Sequence, residues 1–142
     1  MLFDPLRVMR SYYYLLVLML HVSCAPTQPV YNLKFSGNTL TVPVMSFEKD
    51  DVLFLRDGQA AYDILAVRVS PLQYHALFMR CSHGNHPLGM SADGITCPTD
   101  GSIFHYDGTV QKGPATEPLL RFPIELDNKQ GILTINIQAL KI

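Results

Sequence analysis

Two short stretches decide how this chain is read: CSH, Cys81 to His83, and CPTDGSIF, Cys97 to Phe104. Each presents a cysteine followed within two or three residues by a further donor, His83 in the first and Asp100 in the second. A ligand pair at i and i+2, or at i and i+3, lets one tight loop aim two side chains at a single centre. Thiolate sulfur is a soft donor suited to zinc and to iron–sulfur clusters, and imidazole suits both metals. Asp93-Gly94 is a turn signal that brings the second loop back to the first. Glycines at 84, 89, 94 and 101 let the backbone wrap closely, with amides free to hydrogen-bond sulfur. The run QYHALFMR leads into Cys81 and SIFH leads away from Gly101, so the loops hang on strand-like scaffolding, where function usually sits.

Working outward, the 142 residues suffice for one domain with an ordinary core. The chain is 48% hydrophobic and 16% charged, a globular composition. A net charge of −1 with no clustered basic face argues against nucleic-acid binding. No phosphate-cradling glycine loop is present. Short strand-like runs alternate with turns: YNLKF, TLTVPVMSF, VLFLRD, AYDILAVRVS, QYHALFMR, SIFHY, RFPIELD and ILTINIQAL. In the last, Leu133, Ile135 and Ile137 share one face and Thr134, Asn136 and Gln138 the other. No long amphipathic helix stands out. The pattern predicts an all-β sandwich or small barrel.

The region CSHGNHPLGMSADGITCPTDGSIFHYDGTVQKGPATEPLLRFPIEL resembles a Rieske iron–sulfur domain. That family reads C-x-H-x-x-x-x-L, then C-P-x-H-G-S/A-x-F-x-x-x-G, then G-P-A-x-x-P-L. Here Cys81, His83 and Leu88 match the first part, and Cys97, Pro98, Gly101, Ser102, Phe104 and Gly108 the second. Gly113, Pro114, Ala115, Pro118 and Leu119 match the third. The resemblance implies a Rieske-type antiparallel β-sandwich over residues 31–142, with a small cluster-binding subdomain built from loops over 79–106. It implies a [2Fe–2S] cluster, with Cys81 and Cys97 as thiolate ligands and His83 as one imidazole ligand. Asp100 stands where the second imidazole is expected. It also implies one-electron transfer to a redox protein or a membrane electron-transfer complex. The extra cysteine pair of cytochrome bc-type members is missing, with His86 or a neighbour and Thr99 in those places, so the chain is more like the ferredoxin-type members. It is too short to carry an oxygenase's catalytic iron domain and offers no facial triad, which favours a carrier or complex subunit over a catalyst.

Four readings of position 100 stand open. Asp100 ligates the cluster, adding one negative charge and lowering the potential; another histidine replaces it; the site holds one zinc through two Cys, one His and one Asp; or the cluster is lost and the fold is a binding or structural module. Asp100 can also simply cap its loop. His75 on a strand and His105 beyond the second loop read as structural or surface residues, and His86 as a solvated loop residue or a donor beside the site.

Ahead of the domain, MLFDPLRVMR carries two arginines and SYYYLLVLMLHV is an apolar run of about a dozen residues, short of the roughly 20 that span a bilayer. It fits a signal peptide over 1–23. Ser23-Cys24 resembles a bacterial lipoprotein cleavage site, although His21 stands where Leu is usual. Cleavage there leaves Cys24 lipidated and residues 24–30 as a tether, placing the domain at the cell envelope on the periplasmic or outer face. Plain secretion is the alternative. The sequence leaves the oligomeric state open.

Overall fold

The computed structural model describes residues 30–32, 37–56 and 61–138. The expected signal peptide over 1–23, the lipidation candidate Cys24 and the tether up to residue 29 lie outside the described residues. Val30, assigned to the tether from sequence, instead opens the first strand.

Among the described residues, eleven strands build three sheets and no α-helix occurs. The first sheet has the order β1 (Val30–Asn32), β3 (Val52–Arg56), β4 (Ile64–Ser70), β5 (Gln73–Phe78). The second has the order β10 (Ile124–Asp127), β11 (Ile132–Asn136), β2 (Thr39–Pro43). The third has the order β6 (Gly89–Ser91), β7 (Gly94–Thr96), β8 (Ile103–Phe104), β9 (Val110–Lys112). Pairing is antiparallel except between β1 and β3, which run parallel. The all-β sandwich expected from sequence is present, and one parallel edge pair is added to it.

The sheets are layered, and β4 shows why. Its first four residues, Ile64, Leu65, Ala66 and Val67, are all buried. A strand covered on both faces carries a continuous apolar run rather than an alternating one. Ile64 and Ala66 join a core with Leu40, Val42, Leu133 and Ile135 of the second sheet. Leu65 and Val67 join another with Ile95, Phe104, Cys81 and Cys97 of the third-sheet side. The first sheet is therefore the middle layer. Each core hangs on alternate residues of the same two strands, β4 and β5.

Two local readings shift. TLTVPVMSF is not one strand: β2 ends at Pro43, and Val44–Phe47 make a 3₁₀ turn. Val44 still donates its N–H to the Gly131 carbonyl at 2.8 Å, so the Pro43 nitrogen faces away from β11, on the open side where an edge strand tolerates proline. The segment between the two cysteines also holds more structure than a loop, because β6 and β7 form a hairpin around Asp93-Gly94. In β11 the sequence reading stands, with Leu133 and Ile135 both buried.

Candidate metal centre

β5 ends at Phe78, and Met79, only 2% exposed, anchors the chain in the core just before Cys81. The first loop then closes on itself. Asn85 donates its N–H to the Cys81 carbonyl, and Cys81 donates its own to the His86 carbonyl. Asn85 takes φ 56°, a left-handed conformation that Asn tolerates better than most residues. The second loop closes the same way: Gly101 donates to the Cys97 carbonyl and Cys97 to the Ser102 carbonyl. Gly101 has φ 79°, which lets this turn form without a Cβ penalty.

These turns bring three of the four donors expected from the sequence, Cys81, Cys97 and Asp100, to one place, and set His83 beside Asp100 at its outer side. Cys81 and Cys97 are buried, and neither is in a disulfide. Asp100 is the hinge of the group. Its Oδ2 lies 3.4 Å from Cys81 Sγ and 3.2 Å from His83 Nδ1. Its Oδ1 accepts the Ser102 N–H at 2.8 Å. Donor atoms of Cys81, Cys97 and Asp100 all lie within 4.8 Å of one another. The His83 side chain is 49% exposed and that of Asp100 13%, so the thiols form the inner side of the site and His83 the outer.

The electrostatics follow from these contacts. Hydrogen bonds from the Ser102 hydroxyl and backbone N–H hold the Asp100 carboxyl well below the usual carboxylate range, with His83 and Cys97 adding to the effect. Burial pushes the Cys97 thiol up, against opposing backbone hydrogen bonds at Asp100 and Thr99. An anionic oxygen and a protonated thiol thus sit side by side.

Three hydroxyl residues hold the loops in place, and of these only Ser102 belongs to the motif read from the sequence. Ser102 is wholly buried, and its Oγ accepts the Ala115 N–H at 3.0 Å. That bond ties the second loop to the GPATEPL segment. Ser82 Oγ donates to the Glu117 carbonyl at 2.6 Å, tying the first loop to the same segment. Tyr62 reaches from ahead of β4 to donate to the Asn85 carbonyl at 2.7 Å. The motif G-P-A-x-x-P-L signalled that this third segment matters, but nothing in the sequence marked Ser82 or Tyr62. A Cβ at Gly84 would stand 2.7 Å from His86 Cδ2 and 3.7 Å from Asp100 Oδ2, so a side chain there would displace the His86 ring. The His86 ring therefore lies near the site and is half-buried. His75 on β5, His105 and His83 itself fall outside the group of three mutually close donors.

A family model, the Rieske [2Fe–2S] domain, matches residues 30–123. The chain belongs to the Rieske family. No curated protein matches it. The Rieske match covers the first and third sheets and the whole site, so the family implies a [2Fe–2S] cluster at these loops. Such a cluster has two thiolates on one iron and two imidazoles on the other. The donors present fit that group in kind and in layering: two inner thiols, then an outer imidazole and carboxylate 3.2 Å apart. The departure is Asp100 in one imidazole's place.

Proposed function

We propose that this Rieske domain is an electron-transfer module in which Cys81 and Cys97 hold one iron of a [2Fe–2S] cluster and His83 and Asp100 hold the other. The observation behind this reading is the convergence of a buried thiol pair with an outer nitrogen–oxygen pair at the tips of two braced loops. When bound, the cluster supplies one-electron transfer, at roughly −150 to +300 mV for two-imidazole centres. The chain's own residues do the rest. Cys81 and Cys97 are shut off from water by Met79, Ile95, Phe104, Ala115 and Leu119 of the same core. His83 is the exposed member of the donor set, so it forms the edge that a partner protein approaches. Asp100 replaces a neutral ligand with an anionic one, which favours the oxidised state and lowers the potential.

The partner class is a redox protein or a membrane electron-transfer complex. The basic and apolar N-terminal residues with Ser23-Cys24 support a lipid-anchored protein of the cell envelope, with plain secretion as the alternative. Substituting Asp100→His tests the ligand assignment: the midpoint potential rises and the EPR spectrum moves toward that of two-imidazole centres. An unchanged potential and spectrum rejects Asp100 as a ligand. For the anchor, Cys24→Ala abolishes lipid attachment and membrane fractionation. A Cys24→Ala chain that still carries lipid rejects it.

A further inference from the structure

The middle sheet has two unlike ends. β5 runs from Gln73 to Phe78 and on through Met79 into Cys81, so the donor loops hang from one end. The six residues of that strand put roughly 20 Å between this end and the other. At the far end stand the Pro71-Leu72 turn between β4 and β5, the 3₁₀ turn Val44–Phe47 and the start of β3. They pack together: the Phe47 ring meets the Tyr74 ring at 5.2 Å, edge to face, and the Tyr74 hydroxyl donates to the Pro71 carbonyl. β1 runs parallel to β3, with Val30 opposite Phe54 and Asn32 opposite Arg56. The chain therefore enters β1 from the far end, heading toward the donor loops.

The three most exposed large apolar side chains of the described residues all lie at this entry end: Leu72 at 71%, Met45 at 69% and Val69 at 52%. Exposed apolar residues scattered singly are ordinary, and a group of them at one end marks a contact surface. We propose that the entry end rests on a phospholipid bilayer, with Leu72, Met45 and Val69 seated at the headgroup boundary and the donor loops turned to the water. The proposal takes its short tether from the lipid-anchor reading of Cys24. From Cys24 to Val30 even a fully extended chain reaches only about 20 Å. A lipid on Cys24 thus keeps the entry end close to the bilayer, at high effective concentration. Three positive side chains there, Lys49, Arg68 and Lys129, nearly offset the four carboxylates of residues 48–51 and 127, and Arg68 pairs with Asp51 at 2.6 Å. Apolar burial rather than attraction to anionic headgroups holds the contact, so salt does not release it. The consequence is functional. His83, the exposed donor, stands on the loops of the opposite end, so the redox partner that reaches it is a soluble protein or an aqueous domain.

The chain has no tryptophan, so a single introduced one reports without background. The test places it in the full chain as Leu72→Trp or as Glu117→Trp. Glu117 is exposed and its carbonyl accepts from Ser82 of the first donor loop, so it marks the opposite end. Each chain is reconstituted in vesicles of zwitterionic phospholipid, part of it brominated on the acyl chains. Expected for Leu72→Trp are a blue-shifted emission and bromine quenching that persist in high salt, and for Glu117→Trp neither. Solution-like emission from Leu72→Trp overturns the proposal, as does equal quenching of Glu117→Trp. A blue shift without bromine quenching means that protein, such as a second copy of this chain, covers the entry end, and overturns it too. Lipid on Cys24 is read separately by mass. A lipidated chain with unquenched Leu72→Trp keeps the anchor and ends the docking. A chain without lipid on Cys24 ends the anchor, and bromine quenching on the same vesicles then decides the docking by itself.

Discussion

At the scale of single residues, Asp100 and Ser102 act as a pair. Ser102 donates to Asp100 and accepts from Ala115, so one small hydroxyl residue links the ligand loop to the segment behind it. Substituting Ser102→Ala leaves the buried Ala115 N–H without its partner, at about 1–3 kcal/mol. Urea denaturation of the two chains reads that loss, and equal stabilities contradict it. His75 gives a pH signature unrelated to metal. Burial, and then the nearby Arg121 charge, lower its pKa below the ordinary 6.5. As pH falls through 6.5 the unfolded chain takes up this proton before the folded chain does, so stability declines on the acid side. In His75→Leu that part of the decline disappears, and stability–pH curves of identical slope sink the assignment. The meeting of Cys81, Cys97 and Asp100 was legible because donor spacing within a loop is local. Ser82 and Tyr62 were not, since their partners Glu117 and Asn85 lie far along the chain.

At the scale of elements, the hairpin between the two cysteines carries the second loop. Its strands β6 and β7 have three residues each, too few for alternation to show, and only Asp93-Gly94 betrayed them. Gly94 has φ 133°, and a Cβ there would stand 2.6 Å from the Phe104 carbonyl oxygen. That contact is with backbone across the β7–β8 pairing, so nothing flexible can yield. Gly37, at φ 65°, faces open space. Gly94→Ala therefore carries the clash on top of the conformational penalty, whereas Gly37→Ala costs only the latter, about 1–2 kcal/mol. Thermal unfolding ranks them, and Gly37→Ala proving equally harmful or worse contradicts this reading of the hairpin. The misread end of β2 has a similar lesson. Val42, Pro43 and Val44 look continuous in hydropathy, but the chain leaves the strand for a 3₁₀ turn at Val44.

At the scale of the whole molecule, the sequence declared the all-β class but not the three layers. ILAV in β4 was the clue, since a run without alternation means burial on both faces, yet a short apolar run has no period of its own. The layering separates two cores that share β4 and β5. Metal loading stabilises the folded chain by mass action, and the two cysteines proposed to hold it sit in the core of the third sheet. Metal removal is expected to cost hydrogen-exchange protection in β6–β9 first, while the amides of β2 and β11 keep theirs. Uniform loss across all three sheets contradicts two separable cores.

The central claim is that these loops hold a [2Fe–2S] cluster with a carboxylate among its ligands. Its most direct test is iron and acid-labile sulfide per chain, with an EPR spectrum of the dithionite-reduced full chain purified without air. The account predicts about two irons and two sulfides per chain, with a spectrum displaced from that of two-imidazole centres. Neither iron nor sulfide, after reconstitution has also been tried, contradicts it.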